Sequence, residues 1–205
     1  MRAAFRPPPQ AMVYALGDSI TRESISSDSA WTRQLRNRAG AAGKAVPAAF
    51  TLAGHNQTFG MDGQLVAAIP PRRAGQPRGI VLIGVGLSRF IGPPDKQTPV
   101  DLGPPDADVR PQLSSWRRHL YDGRRPLSLS YKRQLMRRWM ERRWAGFAAD
   151  RRANLAALTR VIKACKAKGL RPVILDQPLD RKLVGSRLRR PRLSIRNGCS
   201  ALASK

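Results

Sequence analysis

The chain has 205 residues, with 38 Lys and Arg against 13 Asp and Glu, for a formal charge of +25. Two cysteines, Cys165 and Cys199, do not make a disulfide scaffold, and no paired metal-ligand spacing occurs, so a bound metal such as zinc is not expected. No apolar run approaches the length of a membrane span, and a hydrophobic content of 41% supports the core of one α/β domain. The positive excess draws the protein to anionic surfaces at low salt, be they nucleic acid, lipid headgroups or acidic polysaccharide. Arginine outnumbers lysine heavily, so the larger part of that excess reads as the habit of an arginine-rich proteome.

Residues 1–10 read as a disordered lead-in, because Pro7-Pro8-Pro9 cannot form helix. The basic start meets those prolines rather than an apolar stretch, so no secretory leader is read. The compartment expected by default is cytoplasmic, or extracytoplasmic if the true start lies upstream. Residues 11–205 then read as one domain. Its first stretch, residues 11–16, is a short apolar run that predicts a buried strand. Gly17-Asp18 breaks it and Ser19 stands at the break, the place where open parallel sheets present their chemistry. Thr21 to Ser24 can cap and start a helix, on which Trp31, Leu35 and Ala39 form one apolar face, with Gly40 and Gly43 as its stop. Residues 46–52 predict a second strand and 61–69 a short helix ended by Pro70-Pro71. Residues 79–84 are rich in β-branched side chains and predict a third strand.

Residues 90–146 read as an insertion, Pro- and Gly-rich to 127 and then dense in arginine and tryptophan. A loop of that length is usually a functional lid or a flexible segment, and Leu113, Trp116 and Leu120 hint at a helix within it. Over 128–146 the apolar residues fall at spacings of three and four beside a basic face, which fits a helix packed on the domain, a membrane or polymer surface helix, or nucleic-acid binding. Residues 148–168 predict an amphipathic helix whose buried side is Leu155, Leu158, Val161, Ile162 and Cys165, stopped at Gly169. Residues 171–176 predict a fourth strand, 177–180 a turn and 193–204 a last helix. The basic run Arg187, Arg189, Arg190 and Arg192 reads as solvated. Helix alternating with strand predicts an α/β fold with a right-handed, doubly wound parallel sheet.

Gly17-Asp18-Ser19-Ile20 resembles block one of the SGNH (GDSL-type) hydrolase superfamily. The stretch Thr51 to Thr58 resembles block two in part, and Gly84-Val85-Gly86-Leu87 resembles block three poorly. The resemblance implies a flavodoxin-like three-layer sandwich, C-terminally incomplete here, that hydrolyses esters through an acyl-enzyme without a cofactor. It assigns the nucleophile to Ser19, with Gly17 and Asp18 supporting its turn. Oxyanion donors would be the N–H of Ser19, that of Asn56 or Gly54, and the loop at Gly86. Asn56 falls where the family has glycine, a tolerable exchange because Asn accepts left-handed backbone. Gly86 falls where the family has a donating Asn. The Asn56 amide is one candidate replacement for it.

A serine is a weak nucleophile without a neighbouring base. The family's Asp-x-x-His pair is absent, and the only histidines are His55, beside the block-two loop, and His119, in the insertion. Loss of the base alone removes roughly a hundred- to ten-thousandfold of rate. Two functions follow as expectations. One is a serine esterase acting on lipid, small acyl or acetylated carbohydrate esters, impaired in a shortened chain. The other is a non-catalytic relative that holds an anionic polymer or membrane surface through the arginine-rich insertion, with nucleic acid the weaker partner.

Overall fold

The computed structural model describes residues 12–25, 27–42, 47–54, 56–95, 128–177 and 189–203. Four strands, β1 (Met12–Gly17), β2 (Ala48–Ala53), β3 (Gly79–Val85) and β4 (Leu170–Asp176), form one all-parallel sheet in the order β2-β1-β3-β4. The chain thus steps from β1 to one side and then crosses back to the other. Such a reversal opens a crevice at the carboxyl ends of β1 and β3. The predicted α/β class and parallel sheet are therefore present. The lead-in 1–10, most of the insertion (including Leu113, Trp116 and Leu120) and the turn 178–180 lie outside the described residues.

Alternation along the strands decides the core. Met12, Tyr14 and Leu16 of β1 share a face with Val81, Ile83 and Val85 of β3, and all are buried. Helix α3 (Phe59–Ala68) brings Phe59 and Val66 to that cluster, and α5 (Phe147–Ala167) brings Leu158, Val161, Ile162 and Cys165. The periodicity read for α5 is the one observed, with Leu155 partly buried at its margin. Helix α6 (Arg189–Ala203) adds Ile195 and Cys199 beside β4. Helix α4 (Leu129–Arg143) contributes no described side chain to the core, whereas Trp144 and Phe147 behind it stack at 4.5 Å.

Four local expectations are corrected. One helix was expected after Ser19; instead α1 (Ser19–Glu23) and α2 (Asp28–Ala41) each have their own cap. Asp18 accepts from the Ile20 N–H at 3.1 Å, and the Ser27 hydroxyl accepts from the Ala30 N–H at 3.1 Å. Helix α2 also runs through Gly40, since an exposed glycine inside a helix costs only about 1 kcal/mol. The last helix starts at Arg189, ahead of the expected 193, because Pro191 occupies its first turn, where an N–H has no helical acceptor. Consequently Arg192 is not simply solvated: it pairs with Asp176 at 3.4 Å.

The two edges of the sheet differ. Along β2, side chains of α2 take the place of a further strand. Thr32 Oγ1 accepts from the Ala49 N–H at 3.0 Å, and Asp28 Oδ1 accepts from the Thr51 N–H at 2.7 Å. This closes an edge that could otherwise pair with another chain. On β4, Leu175 points away from the core and remains 49% exposed. Asp28→Ala is expected to leave a buried N–H unpaired and to cost about 1–3 kcal/mol in urea unfolding, with more aggregation on refolding; an unchanged midpoint would contradict this edge function.

Both thiols are free and buried. Burial, with a smaller push from Asp62, raises the Cys165 thiol to about 12, and burial, with help from Asp176, raises Cys199 to about 11. At pH 8 the thiolate fraction is then on the order of one in a thousand or less. Native protein should barely react with a disulfide exchange reagent at pH 8 and should titrate both thiols once unfolded; rapid native reaction would count against the packing of α5 and α6.

Candidate active site

The turn after β1 is shaped by what glycine lacks. Gly17 has φ +156°, and a Cβ there would lie 2.0 Å from Thr21 Oγ1. Asp18 follows, buried, with Oδ1 capping α1 and Oδ2 accepting from the Ser88 hydroxyl at 2.6 Å. That last bond ties the loop after β3 to the turn after β1. Ser19 is the first residue of α1 and is half-buried. No described residue forms a hydrogen bond with its hydroxyl.

The loop after β2 is tied to the same turn. The Gly54 N–H donates to the Gly17 carbonyl at 3.2 Å, and the Gln57 N–H donates to the Gly54 carbonyl at 3.3 Å. Gly54 is thereby spent as a donor, which leaves Asn56 of the two block-two candidates. Asn56 has φ +56°, the left-handed conformation that Asn tolerates better than most side chains, and its side chain is exposed. The N–H groups of Ser19, Asn56 and Gly86 donate to no backbone carbonyl among the described residues. His55 and His119 lie outside the described residues.

Beneath these loops runs a buried polar network that sequence reasoning did not find. Gln57 Nε2 donates to the Leu52 carbonyl at 2.9 Å and to Asp62 Oδ1 at 2.6 Å. Asp62 Oδ2 accepts from Arg89 Nη2 at 2.6 Å, Arg89 Nη1 donates to the Gly84 carbonyl at 2.7 Å, and the guanidinium lies 4.0 Å over the Phe59 ring. Burial pushes the Asp62 carboxyl above its ordinary value, while the Arg89 guanidinium and the Gln57 amide pull the other way. The only sequence signal was the appearance of charged residues inside apolar elements.

A second missed pair sits above β3 and β4. The Gln177 N–H donates to the Val85 carbonyl at 3.0 Å, and Gln177 Nε2 donates to Thr21 Oγ1 at 2.7 Å. A Cβ at Gly84 would meet Thr21 Oγ1 at 2.1 Å, and one at Gly86 would meet Gln177 Oε1 at 2.4 Å. The structure thus brings Ser19, Gly54 and Gly86 around one end of the sheet, each linked through its loop to the Ser19 turn. Compared with known proteins, the chain matches no family model, no curated protein and no solved structure.

Removing one partner of a buried ion pair strands the other. Asp62→Ala or Arg89→Ala is expected to cost about 3–5 kcal/mol in denaturant unfolding, and the double variant Asp62→Leu/Arg89→Met to recover most of it. Single variants within about 1 kcal/mol of the parent would show that the pair does not hold the loops.

Proposed function

We propose that the chain is a serine ester hydrolase of the SGNH type, with a flavodoxin-like sheet and Ser19 as nucleophile. The observation that carries this reading is the Ser19 hydroxyl: half-buried, unbonded among the described residues, and set at the crevice end of β1 between two loops fastened to its own turn. The strand order β2-β1-β3-β4 agrees with it.

In the proposed reaction Ser19 Oγ attacks the ester carbonyl carbon and its proton leaves with the departing alcohol. The carbonyl electron pair moves to oxygen, where the N–H groups of Ser19, Asn56 and Gly86 receive it. Water then hydrolyses the acyl-serine. Substrates of this chemistry are carboxylic esters of lipids, small acyl groups or acetylated carbohydrates. With no Asp-x-x-His pair, single-turnover acylation is the appropriate readout.

A fluorophosphonate should label the chain on Ser19 alone, and Ser19→Ala should abolish labelling; a folded parent that stays unlabelled would reject the hydrolase reading. Asn56→Gly should label near the parent rate, since the exposed side chain leaves only the backbone N–H as donor. A drop on the order of a hundredfold would return the side-chain amide to the site.

A second reading is supported by α4, whose Arg137 and Arg138 are exposed and whose described side chains stay out of the core. On it the fold is a non-catalytic holder of anionic polymer, and binding should weaken steeply with salt.

A further inference from the structure

One head atom of a buried carboxamide in this site has no partner among the described residues. Gln177 is 5% exposed and its Oε1 is bonded to no described residue, while its Nε2 reaches Thr21. The space for that head is made by two glycines whose backbone does not require glycine. Gly86 is extended at φ −117° and ψ 163°, open to any residue, and Gly84 lies within β3. What both positions exclude is a Cβ, which would meet Gln177 Oε1 at 2.4 Å from Gly86 and Nε2 at 2.8 Å from Gly84. A packing role would be met by an apolar side chain with no unpaired atom. An amide with one end idle and two glycines cleared around it reads as a group held for a ligand.

The Thr21 hydroxyl can accept from an amide N–H or donate to an amide oxygen. A half-turn of the Gln177 head therefore keeps the Thr21 bond and exchanges the two ends. The atom beside Gly86 is then Nε2, an N–H donor in place of the idle oxygen. The turn from Gly17 to Thr21 that this head touches also carries Ser19. Resting on the reading of Ser19 as nucleophile, we propose that Gln177 is a side-chain oxyanion donor of the site. It fills from β4 the space that a side chain at position 86 would occupy, and receives the negative oxygen formed when Ser19 is acylated.

The test is the rate of fluorophosphonate labelling at Ser19 in the full chain, with folding of each variant checked by circular dichroism. Gln177→Ala should label on the order of a hundred- to thousandfold more slowly, the usual loss for one such donor. Gly86→Asn added to Gln177→Ala has room for its own carboxamide and should regain labelling to within about tenfold of the parent. A purely structural clamp on Thr21 would not be rescued from position 86. Gln177→Glu keeps the shape, places an acceptor toward the oxyanion and should label at least as slowly as Gln177→Ala; it serves if the alanine variant fails to fold. A labelled parent with Gln177→Ala at the parent rate, or no rescue by Gly86→Asn, overturns this role alone. A parent that labels nowhere overturns the serine reading with it.

Discussion

The ion pair between Arg89 and Asp62 fixes the geometry on which the rest of this edge depends. Both side chains are taken almost wholly out of water, at 1% and 0% exposure. Desolvating two charges costs several kcal/mol each, so a pair of this kind is not retained for stability alone. Its bonds explain the retention in positional terms. Arg89 grips the Gly84 carbonyl at the end of β3 and covers Phe59 at the start of α3, while Asp62 holds Gln57 of the loop after β2. Two loops that are separate in sequence are thereby set at a fixed distance. Two further ion pairs, Arg160–Asp95 and Arg192–Asp176, are exposed or partly so, and contribute little of that kind.

The parts of the fold that were legible in the sequence are those governed by local pattern. The first strand, the glycine break and the serine at its end follow from an apolar run and a turn residue. So do the third and fourth strands, and the periodic face of α5 from Leu158 to Cys165. The left-handed backbone at Asn56 is of the same kind, since it depends on what one side chain tolerates. The break between α1 and α2 was less legible, because Thr21 and Ser24 read as good caps while Asp18 and Ser27 are the residues that cap. Thr21 serves a different purpose: its hydroxyl faces the sheet and takes the Gln177 amide.

What was illegible is long-range polar pairing. Gln177 and Thr21 are 156 residues apart, and Arg89 and Asp62 are 27 apart. No periodicity records such partners, and each residue alone reads as a solvated turn or an exception on an apolar face. The glycines were visible, but their reason was not. Gly17, Gly84 and Gly86 outline Thr21 and Gln177, since a Cβ at any of them would fall within 2.4 Å of those side chains. In Gly17 the left-handed backbone adds a second requirement; in Gly86 space is the only one.

The distribution of unpaired atoms gives this edge its character. Among the described residues, the buried side-chain atoms without a partner are Thr51 Oγ1, Gln57 Oε1, Arg89 Nε, Arg151 Nε and Gln177 Oε1, and three of the five lie in the loops after β2, β3 and β4. On the β2 flank α2 spends Asp28 and Thr32 on the backbone N–H groups of Thr51 and Ala49, while the Thr51 hydroxyl stays unpaired among the described residues. Idle buried donors and acceptors cost stability, and proteins keep such costs where a ligand or a reacting group makes use of them. Gln57, Arg89 and Gln177 each combine such an idle atom with a bond that ties one of these loops down.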